Sequence, residues 1–152
     1  MSVRTYLEEL PLFFDLTGPE IDLLVPHCRL VEGRAGHRLI REGEPVRTIY
    51  FLVSGEAAVL KDNMVIASVG KGTVLGEMSL IHHSPAFATI EAKGPFTALA
   101  IEQAVFIQLL EEHARLGFKI FKKIARILTL RLMMTDSRLA DQLHVPHDYR
   151  HD

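Results

Sequence analysis

The fold class is decided by the stretch IYFLVSGEAAVLKDN, which covers residues 49–63. Its first five residues are continuously apolar, as expected for a strand that is buried on both faces. Gly55 and its neighbours predict a turn, and residues 57–60 are predicted to form the neighbouring strand. Residues 62–63, Asp-Asn, predict a two-residue hairpin loop before a third strand at 64–69, because both residue types tolerate a positive φ.

The same pattern of brief strands extends on both sides, across residues 28–102. Runs rich in Val, Ile, Leu and Thr are broken there by glycines, and such regular spacing indicates a roll, barrel or sandwich. We therefore predict a β-roll over residues 27–102. A short helix is predicted in front of it, at residues 17–25, because Thr17 and Glu20 fit a capping box with an early proline.

The periodicity becomes helical after the roll. Four apolar residues share one face of the first predicted helix: Val105, Phe106, Leu109 and Leu110. Gly117 is predicted to be a joint before a longer helix from Phe118 to about Leu143. The chain is thus predicted to be one mainly β domain with flanking helices over residues 1–152, with C-terminal helices at 103–143 and a flexible tail at 144–152.

Two apolar stripes run along the predicted last helix. One has heptad spacing: Phe121, Ala125, Leu128, Leu132, Thr135 and Leu139. The other lies beside it: Ile120, Ile124, Ile127 and Met134. One isolated helix cannot bury both, so we expect one stripe to pack on the roll and the heptad stripe to form a homodimer seam across a two-fold axis. The alternative is that both stripes pack within the chain.

Charge and composition narrow the classes of partner. The net charge of −2 gives no global attraction to nucleic acid or to an anionic membrane. Cys28 is the only cysteine, which excludes an internal disulfide and favours a reducing compartment and a buried structural thiol. Residues 1–10 do not resemble a signal peptide, and no apolar run reaches the roughly 20 residues that span a bilayer. We expect a cytoplasmic protein without a transmembrane segment.

Three further motifs follow one another along the chain. They are RLIREGEP at residues 38–45, which runs into residues 49–56, GTVLGEMSL at residues 72–80, and SPAFATI at residues 84–90. Together they resemble the cyclic-nucleotide-binding domain family, which includes bacterial catabolite-activator-type regulators, kinase regulatory subunits and gated channels. The resemblance implies a double-stranded β-helix, or jelly roll, with an N-terminal helix and two C-terminal helices.

The second and third motifs resemble the opening and the close of that family's phosphate-binding cassette. In the family, helix-start amides and an arginine bind the cyclic phosphate, and a glutamate binds the ribose hydroxyl. Gly76 and Glu77 match the glycine and the glutamate, whereas Ala86 takes the arginine position and Phe87 that of a small residue. The resemblance therefore implies these candidate ligand-binding residues: Gly76, Glu77, Met78, Ser79, Ala86, Phe87 and Ala88.

The missing arginine predicts weak binding of cyclic AMP or cyclic GMP, the only cofactor-like ligand that the resemblance implies. Loss of one partner of a buried charge pair costs ~2–5 kcal/mol, so a micromolar site would become roughly millimolar. The Phe87 ring is expected to fill the phosphate pocket with carbon, and no Lys or Arg lies between Lys71 and Lys93 as a substitute. Ala86→Arg combined with Phe87→Ser or Phe87→Ala is expected to create measurable binding.

Polar residues of the cassette have alternative explanations. Glu77 either binds a ligand hydroxyl or interacts with the positive end of a short helix. His82 and His83 either meet an anion as imidazolium, below a pH of about 6.5, or are solvated.

Enzymatic and DNA-reading functions find little support in the sequence. A cupin-type metalloenzyme is also a β-barrel, but His82 and His83 would point to opposite faces of a strand and could not bind one metal ion. No Gly-x-Ser-x-Gly elbow, Walker glycine loop or His-Glu-x-x-His helix occurs, so we predict no catalytic and no metal site. A regulator of the catabolite-activator kind would continue into a helix-turn-helix domain, for which too few residues follow Leu143; we expect no specific DNA binding.

The last predicted helix is basic. Its cations either sit on an anionic surface such as nucleic acid or a membrane, meet an acidic partner, or are solvated: Lys119, Lys122, Lys123, Arg126, Arg131 and Arg138. We predict a non-enzymatic regulatory or sensor module that signals through its C-terminal helices, with a small-molecule ligand and an unknown protein partner. Two alternatives stay open, a cyclic-nucleotide receptor with a non-standard cassette and a protein-docking scaffold with a sealed pocket.

Overall fold

Two short helices precede the strands. In a computed structural model, which describes the backbone of residues 2–142 and the side chains of residues 2–134, α1 spans Val3–Glu9 and α2 spans Gly18–Leu24. The predicted capping box is present at α2: the Glu20 amide donates to Thr17 Oγ1 at 3.3 Å, and the Thr17 amide donates to Glu20 Oε1 at 2.8 Å. Helix α1 was not predicted. The predicted tail at 144–152 lies outside the described residues.

Within residues 2–142, eight strands form two antiparallel sheets of four, which confirms the predicted roll. The strands are β1 (Arg29–Gly33), β2 (Arg38–Ile40), β3 (Thr48–Ser54), β4 (Ala57–Lys61), β5 (Met64–Val69), β6 (Val74–Leu75), β7 (Thr89–Ala92) and β8 (Phe96–Glu102). The sheet orders are β1-β8-β3-β6 and β2-β7-β4-β5. Apolar side chains of both sheets share one cluster, including Leu52 and Ala98 from the first and Ala57 and Ile90 from the second.

One predicted pairing was wrong. Residues 57–60 do form a strand, but β4 pairs with β5 and β7, whereas β3 pairs with β6 and β8. The turn at Gly55 instead carries the chain from one sheet to the other. Gly55 has φ +89°, and a Cβ there would lie 2.6 Å from the Pro95 carbonyl oxygen. The hairpin prediction is confirmed, since Asp62 and Asn63 have φ 51° and 65°.

Within the described residues two helices follow the roll, and the predicted joint between them is displaced. Helix α3 spans Gln103–Glu112 and α4 spans Ala114–Gln142, so the break falls at His113 and Gly117 lies inside α4. A Cβ on Gly117 would sit 2.4 Å from the Leu110 carbonyl oxygen. The glycine therefore allows α4 to approach α3 closely, and does not interrupt the helix.

A second apolar cluster joins the helices to the roll. Phe51 of β3 packs edge to face against Phe13 and Phe106, with ring centroids 5.1 and 6.0 Å apart. The roll-facing stripe of α4, including Ile120 and Ile124, is buried in the same cluster. One of the two predicted stripes therefore packs on the roll, as expected.

Two cations of α4 hold the N-terminal segment. Lys119 Nζ lies 2.7 Å from Glu20 Oε1, and Lys123 Nζ donates to the Pro11 carbonyl at 3.0 Å and lies 3.4 Å from Asp15. Part of the basic face of α4 thus meets acids of its own chain. Burial by itself raises the pKa of Glu20, but hydrogen bonds from Lys119 and Thr17 outweigh it and hold the pKa below its usual value.

Gly117→Ala is expected to lower the free energy of unfolding by about 1–3 kcal/mol, because the added methyl has no room beside the Leu110 carbonyl. In an open helix position the same change would stabilise by up to ~1 kcal/mol. Urea unfolding measures the difference. Gly94→Ala, where an added Cβ meets no atom within 4 Å, is the control. Unchanged stability of Gly117→Ala would show that the two helices do not cross closely.

Acid should weaken the contact between α2 and α4. Because the pKa of Glu20 is lower in the folded chain than the unfolded value of about 4.3, its stabilisation is complete above that pH and is lost as pH falls through the folded pKa. Glu20→Gln is therefore expected to lose less unfolding free energy than the parent between about pH 5 and 3. Glu9→Gln, at an exposed position without an ion pair among the described residues, is the control. Identical acid profiles for Glu20→Gln and the parent would contradict the assignment.

Candidate functional site

The candidate cassette, residues 76–88, begins at a glycine that no other residue can easily replace. Gly76 has φ +91° and caps a short 3-10 helix, Glu77–Leu80. A Cβ on it would lie 3.1 Å from Val46 and 3.3 Å from the Thr48 carbonyl. The Ser79 amide and hydroxyl both donate to the Gly76 carbonyl, at 3.2 and 2.7 Å. The start of the cassette is thus tightly fixed against the loop before β3.

Glu77 is paired with the last helix. Its side chain is 11% exposed, and its Oε1 lies 2.6 Å from Arg131 Nη1 on α4. A carboxylate so buried needs a charged or hydrogen-bonding partner. The sequence analysis predicted that Glu77 binds a ligand hydroxyl or interacts with the positive end of a short helix, and it did not predict an ion pair with α4. The carboxylate that matches the family's ribose-binding position is therefore joined directly to α4.

Arg131 could have been found from helix spacing. It follows Ile120, Ile124 and Ile127 at intervals of four, three and four residues, which places all four on one face of α4. That face packs on the roll, and the first two isoleucines are fully buried. The prediction of Met134 as the next member of this stripe is wrong, since Met134 is exposed and Arg131 takes that place.

A small cavity surrounds the ion pair. It has a volume of about 270 Å³ and is lined by Pro11, by residues 71–74 in front of the cassette, by Glu77, and by Ile124, Ile127 and Arg131 of α4. Ligand pockets generally start near 300 Å³. The space next to the pair is therefore at the lower limit for a small molecule.

At the close of the cassette, Ala86 is fixed by its backbone. Its amide donates to the Glu44 carbonyl and its carbonyl accepts from the Gly43 amide, both at 2.9 Å. Its methyl packs against the apolar cluster inside the roll, and Ala88 is buried. The position of the family's arginine is thus taken by a methyl group among carbon atoms.

Phe87 does not fill the pocket, so that expectation was wrong. Its side chain is 61% exposed, and its ring lies 4.5 Å from Lys61 Nζ. Its neighbours Ala86 and Ala88 are half-buried and buried, so the turn at the close of the cassette directs them into the roll and leaves the Phe87 ring on the surface beside Lys61. Lys61 Nζ also donates to the Phe87 carbonyl at 3.0 Å, on the outer side of the loop.

Lys61 contacts the cassette although it is distant from it in sequence, so the sequence analysis did not identify it. It lies on β4, whose pairing of Leu60 with Thr89 brings it to the end of the cassette. It also forms an ion pair with Glu42 at 3.1 Å. The Asp62 amide and Lys61 hold the pKa of Glu42 below its usual value. A cation therefore reaches the cassette, but on its outer face, where it binds the chain's own groups.

The remaining candidate residues of the cassette do not form one cluster. Met78, His82 and His83 are exposed, and Ser79 is buried. The Ser79 carbonyl accepts a hydrogen bond from Gln103 Nε2 at 2.8 Å, which ties the cassette to the first residue of α3. Within the described residues no group of three His, Cys, Asp or Glu could hold a metal ion. Cys28 is half-buried and not fully buried as expected, and this desolvation raises the pKa of its thiol to about 11.

Comparison with known proteins gives one family. Residues 30–113, more than half of the chain, match the cyclic nucleotide-binding domain. A solved cyclic nucleotide-binding domain from Methylobacillus flagellatus has a TM-score of 0.78 at 26% identity, over 92% of this chain and 82% of that one. No helix among the described residues is long and apolar enough to cross a membrane.

Two curated proteins are similar over only part of their length. Glutaminase 1 of Bradyrhizobium diazoefficiens is 28% identical over 136 residues, 89% of this chain and 22% of that protein. A cAMP-dependent protein kinase regulatory subunit of Schizosaccharomyces pombe is 30% identical over 111 residues, 72% of this chain and 27% of that protein. The chain thus spans about a quarter of these relatives or less.

A double-mutant cycle of Glu77→Gln and Arg131→Met should show a coupling energy in the upper part of the usual range of ~0.5–3 kcal/mol, because the carboxylate is buried. Unfolding free energies of the four proteins give the coupling. The control cycle removes the exposed pair of Arg38 and Glu91, which is expected to contribute ~0.2–1 kcal/mol. Equal coupling in the two cycles would contradict a special role for the Glu77–Arg131 pair.

Proposed function

The chain belongs to the cyclic nucleotide-binding domain family, and from that premise we propose that it is a regulatory module whose cassette is held against α4 without a cyclic nucleotide. The observation that carries the proposal is the contact of Glu77 Oε1 with Arg131 Nη1 at 2.6 Å. The carboxylate that a ribose hydroxyl would use already accepts from a guanidinium of the same chain.

Two effects are expected to weaken the binding of an ordinary cyclic nucleotide. Its hydroxyl competes with Arg131 for Glu77, and its phosphate meets the methyl of Ala86 where a counter-charge is needed. An anion among carbon atoms is poorly solvated. With ~2–5 kcal/mol lost at the phosphate alone, we expect cyclic AMP and cyclic GMP to bind in about the millimolar range.

The proposed output is the position of α4. The Glu77–Arg131 pair and the Gln103–Ser79 bond connect the cassette to both C-terminal helices. A ligand or protein partner that prefers the separated pair would shift the equilibrium toward a displaced α4, by its difference in affinity for the two arrangements. The module is therefore proposed to signal through its helices and to be closed when no partner is present.

We further propose that the module is non-enzymatic and cytoplasmic and that the roll and its helices act as one domain. Phe51 of the roll and Ile120 of α4 share one buried cluster, which supports a single unit. The glutaminase and kinase names belong to proteins of which this chain spans 22% and 27%, so their activities are not carried over.

A homodimer is proposed through the heptad stripe of α4. Several large apolar side chains on the outer part of this helix are exposed, Leu132 by 70% and Met133 by 61%. Phe121 and Ala125 of the stripe are exposed as well and Leu128 is half-buried, whereas the side chains of Thr135 and Leu139 lie outside the described residues. A second α4 across a two-fold axis would cover this stripe.

Ala86→Arg is expected to tighten cyclic AMP binding at least about tenfold, because it restores a counter-charge at the phosphate. Isothermal titration calorimetry of the purified proteins measures the change. Since Phe87 faces outward, adding Phe87→Ala should contribute little beyond the single substitution. Ala86→Gln, which adds a long side chain without charge, is the control.

Failure of the folded Ala86→Arg protein to bind more tightly, with melting temperature unchanged, would sink the proposal that the absent charge limits affinity. Micromolar binding of cyclic AMP by the parent protein would also contradict the proposal, because it would show that the ligand hydroxyl easily displaces Arg131 from Glu77.

Leu132→Glu is expected to convert the dimer into a monomer, since it places charges in the centre of an apolar seam. Light scattering coupled to size exclusion measures the mass. Thr129→Glu, an exposed position on the same helix outside the heptad stripe, is the control. A monomeric parent protein would contradict the seam.

A further inference from the structure

A cavity lined by arginines lies outside the cassette. It has a volume of about 370 Å³ and sits between β2, β3 and the loop at residues 41–47 that joins them. Its lining includes no residue of the cassette. Neither the ion pair of Glu77 nor the family comparison accounts for it.

The charge in this cavity is positive and only partly neutralised. Arg38, Arg41 and Arg47 line it, against the single carboxylate of Glu44. Arg38 is paired with Glu91 at 3.1 Å. Arg41 and Arg47 have no ion pair within the described part of the chain. Guanidinium groups brought to one cavity repel each other, and an anion between them removes that repulsion.

The walls supply further groups for a ligand. Thr48 and Tyr50 line the cavity, and within residues 2–134 their hydroxyls have no hydrogen bond. Ile40 and Val46 give it an apolar side. Neutral hydroxyls, a carboxylate acceptor and an apolar side suit the body of a polyhydroxylated molecule, and guanidinium groups suit its phosphate.

The backbone around the cavity is already fixed. The Glu42 amide donates to Thr89 Oγ1 at 3.0 Å, and the Gln103 amide donates to the Arg47 carbonyl at 2.8 Å. The Gly43 amide and the Glu44 carbonyl bond to Ala86 at 2.9 Å. These bonds order the backbone of the site beforehand, which reduces the entropy that is lost when a ligand enters.

We propose that this cavity binds a small phosphorylated sugar, with its phosphate at Arg41 and Arg47 and its hydroxyls at Glu44, Thr48 and Tyr50. The volume lies within the range of small-molecule sites. The loop at residues 41–47 is hydrogen-bonded to Ala86 and contacts Gly76 through Val46. A ligand that shifts this loop would therefore shift both ends of the cassette. The site is independent of the proposed function, since no residue of the Glu77–Arg131 pair contributes to it.

Titration of the full chain with ribose 5-phosphate, followed by calorimetry, tests the proposal. Binding below the millimolar range is expected, with no binding of ribose at equal ionic strength. Arg41→Gln and Arg47→Gln should each weaken binding at least about tenfold, as expected for loss of a charged partner. Arg115→Gln, at an exposed position on α4 outside the cavity, should leave it unchanged.

Absence of ribose 5-phosphate binding, or equal loss in Arg115→Gln, would overturn the proposal. Amide chemical shifts locate the ligand: the largest changes are expected at residues 38–50. Largest changes at residues 76–88 would place the sugar phosphate in the cassette and would also overturn it. Because these substitutions leave Ala86 unchanged, the outcome is separate from the cyclic AMP titrations of Ala86→Arg.

Discussion

The contact between Glu77 and Arg131 is the interaction on which the account of this chain depends. It joins a buried carboxylate at the start of the cassette to the helix that leaves the roll. Desolvation makes the carboxylate costly without a partner, and we therefore propose that the position of α4 and the state of the cassette are coupled. In a chain with Ala86 at the family's arginine position, the proposal is that Arg131 occupies the carboxylate that a ligand hydroxyl would use.

Close backbone approaches bring the two partners together. Gly76 lets the cassette turn against the loop before β3, and Gly117 lets α4 cross α3 at the Leu110 carbonyl. The buried stripe of α4 then runs along the roll until Arg131 reaches the cassette. The two glycines thus permit the close backbone contacts that position the cassette and α4, which carry Glu77 and Arg131.

Local rules predicted much of the fold, and long-range contacts produced the differences. The apolar run at residues 49–53 and the hairpin at residues 62–63 follow from burial pattern and allowed φ, so both were predicted from sequence. The role of Gly117 depends on a helix that passes next to it, and no local pattern reveals that. Family position predicts Phe87 in the pocket, whereas in the structure its ring lies outside beside Lys61, a contact that depends on the pairing of β4 with β7. Arg131 had the right helix spacing, but its partner is 54 residues away.

The distance between the cassette and α4 tests the central claim most directly. Pulsed electron paramagnetic resonance measures this distance between spin labels at Met78→Cys and Met133→Cys, two exposed positions. The labelled protein also carries Cys28→Ser and is diluted into unlabelled protein. The account predicts one narrow distance distribution in the otherwise unchanged protein, the same with and without cyclic AMP, and a broad one after Arg131→Gln. A distribution that is already broad without ligand, or that moves when cyclic AMP is added, would contradict it.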